Sequence, residues 1–554
     1  MGSAANSHAL SPFGPSYPAL EQTLAESRAR HALALRWLWP GATAAGRDDG
    51  AWRQPVAAWL DGQRPLRPLT PSPSKVLTFF GNFVPPHRIR RFFAGGTRMS
   101  ISLGKVFEPF VEQRPICVMA RGVLEHLFHA ERIDALFERT AEVQYTRELL
   151  FSSVVDLMGQ VVLGLQPSVH AAYQAQADQL GVSDQAVYDK LNHVELCVSA
   201  ELVRDAARQA APVIGALQAE LPPLVPGYRT KILDGNHLSA SDHRLAELRR
   251  TWAAPLPGQT LVVLDPQQML ATEVVLCEDG HAQERSLLGQ VLPLVEKDDL
   301  WIADRNFCTG DFLGSIAARG GHFVIRQHSQ LKGTLVGART FQGSIDTGAV
   351  YEQKLCIVNG QGNTLTLRRI TIELPEPTRD GDPEVHVLSH VPGRQTSAQK
   401  LAESYGKRWT IETMFQELTD TLTCEVKALA SPQAALFGFC LALMAYNAVS
   451  VLKAALRAVH GRETVQQDVS AYSLSLEISQ TYDGMMVAIP SPHWTLFRTL
   501  SAKQLADVLK ELAENVNLRR YKKHPRGPKK KPTKRTAYKN GGHVSTAKVL
   551  ALRI

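Results

Sequence analysis

Apolar positions recur at helical spacing through the first part of the chain, and the period shortens to that of strands near Tyr228. Residues 91–215 read as all-helical, with clear apolar periodicity over 148–165 and 193–211. Short helical pieces such as 20–38 lie in an Ala-, Pro- and Gly-rich region before them. After Tyr228 the pattern predicts strands at 229–234, 260–264 and 271–277, the last two parted by the turn pair Asp265-Pro266. A helix at 282–295 follows, then a strand at 299–303 that ends on Asp304, a helix at 309–318 and a strand at 321–326. Strand-like runs at 349–358, 364–373 and 384–389, broken by Gly, Asn, Pro and Asp, form a β-rich insertion. A helix carrying Tyr405, Arg408 and Glu412 comes next, with Ile411, Phe415, Leu418 and Leu422 as its apolar stripe. Further helices follow, the last opening at Ser501 with Gln504 placed for a capping box. Three consecutive antiparallel strands followed by alternating elements describe an α/β fold, a mixed sheet with helices on both faces.

The apolar run 434–452 is long enough to raise a membrane span, yet it holds Tyr446, Asn447 and Ser450 and has no second such segment beside it, so a buried core helix is expected. At 554 residues the chain has room for several domains. Its net charge of +8 is concentrated at the end: residues 515–554 carry 13 Lys or Arg and no acid, leaving −5 for the first 514. Arg519, Arg520, Lys522, Lys523, Lys529, Lys530 and Lys531 are the expected DNA-binding cations of a basic, disordered tail. The seven cysteines stand singly, which argues against a zinc ribbon or disulfide scaffold and fits a reducing compartment. The N-terminus lacks the charged start and apolar run of a signal peptide. Ser183 is placed to cap a helix carrying Gln185, Tyr188 and Lys190 outward, a helix-turn-helix pattern that makes 91–215 a candidate DNA-binding domain.

The candidate chemistry lies in Asp234, Asp304 and Glu412, at the ends of the first and fourth strands and on the later helix. Three convergent carboxylates without His or Cys suit hard divalent cations such as Mg²⁺. Two such ions sharing a carboxylate set up in-line attack on a phosphodiester. Arg408 and Tyr405, on the same helix face as Glu412, are expected to contact the DNA backbone. Each residue also has a plainer reading. Arg408 and Glu412 are spaced for a helix ion pair, Asp234 for a turn with Gly235 and Asn236, and Asp304 for a local cap. Asp265 is a rival acid better explained as a turn residue.

Tyr405, Arg408 and Glu412, within YGKRWTIETMF, resemble the Tyr-x2-Arg-x3-Glu-x6-Lys signature of the DDE-class insertion-sequence transposases. LDGNHL around Asp234 and WIADRNFCTGDFL around Asp304 are similar to that family's first two acidic motifs, and FVIRQHS and FGFCLALMAYN also resemble it. The likeness covers roughly residues 100–460. The signature Lys falls on Thr419 here, and Lys427 lies at the wrong spacing to replace it. The resemblance implies a ribonuclease-H-like fold with a β insertion before the Glu helix, and Asp234, Asp304 and Glu412 as catalytic and metal-binding residues for two Mg²⁺ or Mn²⁺ ions. It also implies cut-and-paste movement of double-stranded DNA between inverted repeats by a homodimer, in a cytoplasmic, nucleoid-associated bacterial protein.

The expected organisation is a variable region 1–90, a helical domain 91–215, a catalytic domain 216–326 and 398–458 split by the insertion 327–397, helices 459–514 and the tail 515–554. The rival readings are a nuclease of the same fold without strand transfer and a domesticated DNA-binding protein; a pure binder has no use for three clustered acids.

Overall fold

The computed structural model describes residues 103–523, apart from 147, 239–251, 254–257, 281, 379–380, 427–428 and 430, together with 543–544. The expectations for 1–90, Lys427 and Lys529–Lys531 therefore lie outside the described residues. Two compact units divide at residue 96, and everything below belongs to the second, Thr97–Ile554.

Helices fill its first part: α1 (Pro115–Phe128), α2 (Ala130–Thr140), α3 (Phe151–Val162), α4 (Val169–Leu180), α5 (Asp184–Asn192) and α6 (Leu196–Leu217). The corner between α4 and α5 forms as its sequence suggests. Gly181 takes the left-handed conformation at φ 65°, and the Ser183 hydroxyl accepts the Ala186 N–H. Lys190, however, does not project outward as expected. Its ammonium donates to the Tyr145 carbonyl at 3.0 Å and lies 4.3 Å from the Phe137 ring centroid.

Nine strands make one mixed sheet: β1 (Arg229–Leu238), β2 (Gly258–Asp265), β3 (Leu270–Cys277), β4 (Asp299–Ala303), β5 (His322–Arg326), β6 (Thr334–Ile345), β7 (Gly348–Val358), β8 (Thr364–Glu373) and β9 (Glu384–Ser389). Their spatial order is β3-β2-β1-β4-β5-β9-β8-β7-β6. The first three are antiparallel and β1, β4 and β5 run parallel; β9 returns antiparallel to β5. The mixed sheet is as expected. The strands of the insertion, whose pairing the sequence left open, extend the central sheet through the β9–β5 pairing. Two details differ from expectation. β6 went unread because its residues are nearly all exposed, and its register with β7 slips between Val336 and Thr340 and again between Phe341 and Gly343. The helix expected at 282–295 is three short turns, Glu284–Leu287, Leu288–Val291 and Leu292–Leu294, since Pro293 has no N–H to continue it.

Helices α7 (Gly310–Ala318), α8 (Ala398–Gly406), α9 (Trp409–Thr421) and α10 (Pro432–His460) pack against this sheet. The central strands are apolar on both faces. Ile232, Val262, Ile302 and Val324 point one way, into a core shared with α6 and α10. Leu233, Leu261, Trp301 and Phe323 point the other way, against Phe312, Leu313 and Ile316 of α7. Among the described residues α10 is the one helix long and apolar enough to cross a membrane, and it is enclosed on all sides as a core helix. Its polar residues explain why. Asn447 is fully buried and closes a two-way bond with Ala271 of β3, accepting its N–H at 2.8 Å and donating to its C=O at 3.0 Å. Ser450 donates to the carbonyl of Met269, at the turn where Asp265 accepts the N–H groups of Gln267 and Gln268. Asp265 is thus the turn residue expected.

The end of the described chain also departs from expectation. α11 (Ala471–Ala488) and α12 (Ala502–Glu514) follow α10, the latter with the capping box between Ser501 and Gln504. Residues 519–523, read as disordered tail, are docked on this helical part. Tyr521 is buried, its carbonyl accepts the Ser470 N–H at 2.7 Å, and the Lys523 N–H donates to Asp468 at 2.6 Å. The buried Tyr521 ring and these backbone bonds together anchor it.

The α10–β3 tie yields a stability prediction. Asn447→Leu strands the N–H and C=O of Ala271 in an apolar interior, which should cost about 1–3 kcal/mol for each group. Urea unfolding checks this; a midpoint equal to the parent's would contradict it.

Candidate active site

The site is assembled by strand periodicity and register. In the parallel pair β1–β4, Ile232 lies beside Ile302 and Leu233 beside Ala303. The next positions along are Asp234, still within β1, and Asp304, the first residue past the end of β4. By alternation Asp234 falls on the face of Ile232, the face that α9 covers through Ile411, Met414 and Leu418. Asp234 does not end its strand, as expected from sequence, nor does it make a turn with Gly235 and Asn236. Those two continue β1 by pairing with Leu261 and Thr260 of β2. Asp304 does end β4, and its carboxylate accepts the Asn306 N–H at 2.6 Å, capping the 3-10 turn Arg305–Phe307.

The helix expected to carry Tyr405, Arg408 and Glu412 without interruption is two helices. At the junction of α8 and α9 the bonds shorten to i→i+3, with Arg408 N–H donating to Tyr405 and Ile411 N–H to Arg408. Arg408 stands before the first turn of α9, and its side chain is buried against the sheet at β1. Its guanidinium donates to Asp234 Oδ2 at 3.0 Å and to Glu412 Oε1 at 2.6 Å. It also lies 4.9 Å from the ring centroid of the exposed Trp409. The helix ion pair that sequence spacing allowed is therefore present, with Asp234 as a second partner. This cation sits between two of the acids, Asp234 and Glu412.

Burial pushes the Asp234 carboxyl up to about 7. The Arg408 charge and the Gly235 N–H pull it down, and the charges of Asp304 and Glu284 push it further up. Burial likewise raises the Tyr405 phenol, which keeps it a hydrogen-bond donor beside Arg408. Glu284 was not read from sequence. It stands in the turn Glu284–Leu287, accepts Asn306 Nδ2–H at 3.1 Å, and has its carboxyl raised by burial and by Asp304. No spacing rule links it to the other acids; only the packing of its turn against that of Arg305–Phe307 brings it here. Around Asp304 lie cations: Arg285, whose Nε–H donates to the Asn306 carbonyl at 2.7 Å, and Arg305, both of which help lower the His328 imidazole after burial.

Other expected site residues are elsewhere. Arg520 donates to Gln113, and Lys523 to Gln466 and Asp468, so the described contacts of this basic run are with the helical part and not with the carboxylates. Thr419 donates its hydroxyl back to Phe415 at 3.0 Å, a bond internal to α9 that supplies no cation.

The oxygen donors of Asp234, Asp304 and Glu412 suit a divalent ion chemically. Their arrangement does not: Arg408 already occupies the inner oxygens of Asp234 and Glu412, and among the described residues no three His, Cys, Asp or Glu stand as a metal-binding group. As described, the constellation is an acid pair neutralised by an internal cation, with a third and fourth acid beside it.

Removing that cation has a signed pH consequence. Arg408→Ala leaves Asp234 buried without a counter-charge, which should cost about 3 kcal/mol when Asp234 is ionised. An acid with a raised folded pKa binds its proton more tightly when folded, so stability falls as pH rises from the unfolded value through the folded one. The loss should therefore be larger at pH 8 than at pH 5, and Asp234→Asn should abolish the difference. Thermal unfolding of the single and double variants at both pH values reads this directly, and an equal loss at both would refute the pairing.

Residues 225–448 match the family described as Transposase DDE domain. The matched stretch runs from just before β1 into α10 and contains Asp234, Asp304, Tyr405, Arg408 and Glu412. No curated protein matches the chain. The part of the chain that builds this site is thus similar to a transposase DDE domain, in keeping with its likeness to the DDE-class transposases.

Proposed function

We propose that the protein is the DNA transposase of a bacterial insertion sequence, cleaving at terminal inverted repeats and joining the freed 3′-OH to target DNA. The observation that carries this reading is the parallel register that puts Asp234 and Asp304 each one position past the Leu233–Ala303 pair, with Glu412 tied to Asp234 through Arg408. The strand order, with two antiparallel strands before the first and two parallel strands after it, supports a ribonuclease-H-like core. In this reading Asp234, Asp304 and Glu412 are the catalytic carboxylates. Water attacks the phosphodiester first and the new 3′-OH attacks second, so one set of acids serves both steps. Arg408 then has a second partner available, because a guanidinium held by two carboxylates can transfer its fork to a phosphate. Tyr405, whose phenol stays protonated, donates to the same backbone.

The cofactor in this reading is Mg²⁺ or Mn²⁺, as two ions, and it requires Arg408 to release the acids it now holds. The partners are double-stranded DNA and a second copy of the chain, in a cytoplasmic, nucleoid-associated setting. Lys529, Lys530 and Lys531, with Arg519, Arg520, Lys522 and Lys523, add affinity for any duplex. One observation favours a second reading, a DNA-binding protein that no longer cuts: Arg408 by itself satisfies both of its acids.

Two experiments separate these. Glu412→Gln keeps shape and hydrogen bonding while removing the charge, so cleavage of end DNA should fall by orders of magnitude with binding retained. Equal cleavage by parent and variant would remove Glu412 from the site. Deleting 524–554 should weaken binding to all duplexes alike and flatten its salt dependence, by about 0.9 in log–log slope for each phosphate the tail neutralises. Loss of end recognition with random DNA still bound would show that the tail reads sequence.

A further inference from the structure

Two short turns meet beside Asp304, and one residue, Asn306, is held at three points between them. Its N–H donates to Asp304 Oδ1 at 2.6 Å, its carbonyl accepts Arg285 Nε–H at 2.7 Å, and its side-chain amide donates to Glu284 Oε2 at 3.1 Å. Beneath them Leu287 and Phe307 are buried in the same apolar cluster, so the two turns share a floor. The other oxygen of Glu284 lies over the backbone of Gly235, one residue past Asp234. A Cβ at Gly235 would strike that carboxylate, so the absence of a side chain there makes the room Glu284 needs. Glu284 thus touches both strands that carry the central acids, β1 at Gly235 and the turn after β4 at Asn306.

We propose that Glu284 is a positioning residue for Asp304, fixing the 305–307 turn through Asn306 and so aiming the Asp304 carboxylate. The proposal rests on the reading of Asp304 as a catalytic carboxylate. Nothing in the one-dimensional pattern marks Glu284, because its role comes from two turns brought together by the parallel pairing of β1 and β4. A carboxylate is suited to this work: it accepts from an amide without needing a proton, and Gln in its place keeps one acceptor oxygen.

The test compares five variants on cleavage of a supercoiled plasmid carrying the inverted repeats that flank the coding region. Glu284→Ala should slow cleavage at saturating DNA by about a hundredfold, the cost of a misplaced catalytic group, with affinity for the same DNA unchanged. Glu284→Gln should restore most of the rate, since the acceptor for Asn306 remains. Asn306→Ala should match Glu284→Ala, and the double variant should be no slower than either. Gly235→Ala, which displaces the Glu284 carboxylate from below, should slow cleavage in the same way. Hydrogen exchange at the amides of 305–307 is read without DNA in the same set. It should quicken in Glu284→Ala, Gly235→Ala and Asn306→Ala but not in Glu284→Gln, so the proposal stands or falls even on a chain that does not cut. Parent-like cleavage by Glu284→Ala, or Glu284→Gln as slow as Glu284→Ala, would overturn it, as would exchange that does not change. Asp304→Asn is run alongside: if it still cuts, the reading of Asp304 fails, and if it is dead while Glu284→Ala cuts normally, the positioning role alone fails.

Discussion

The guanidinium of Arg408 joins the two halves of the site. It reaches from the start of α9 to a strand in the middle of the sheet, holding Asp234 and Glu412 at once. Both links are charge-assisted, and the one to Asp234 is largely shielded from water, where breaking it leaves an unpaired charge. The position of α9 on β1 is therefore an electrostatic matter as well as one of packing by Ile411, Met414 and Leu418. The break between α8 and α9 serves this contact. With i→i+3 bonds at the junction, Arg408 stands before the first turn of α9, aimed at the strand, while Glu412 one turn on remains within its reach.

The sheet supplies the rest of the geometry at no cost in special residues. Parallel pairing of β1 with β4 puts positions 234 and 304 each one step past the Leu233–Ala303 pair, and a two-residue period puts Asp234 on the face that α9 covers. Every central strand is apolar on both faces, so a shift of one residue would bury the wrong side chains throughout. The register that places the acids is thus the register that the core enforces. Glu284 and Asn306 then act on what register cannot fix, the direction of a carboxylate that has left its strand.

Strands were readable where they are continuous apolar runs, and 299–303, 364–373 and 384–389 emerge with the bounds expected. Asp304 was placed correctly because a strand end is a local event. Asp234 was misplaced because Gly235 and Asn236 carry turn propensity, which pairing with β2 overrides. β6 escaped notice because an exposed edge strand needs no apolar pattern. The Tyr405–Arg408–Glu412 spacing was legible as one helix face, but the second partner of Arg408 was not, since Asp234 is 174 residues away and nothing local announces it. Glu284 was invisible for the same reason. The basic run at 519–523 was misread through its charge, when the burial of Tyr521 decides its fate.

The central claim is that Asp234, Asp304 and Glu412 form one site whose internal cation gives way to DNA. It is tested most directly by crystals of the protein with end DNA and Mn²⁺, read by the anomalous scattering of manganese. Density for manganese is expected among those three carboxylates, with Arg408 on a DNA phosphate. Manganese bound elsewhere, or Arg408 still bridging Asp234 and Glu412 with DNA in place, would contradict it.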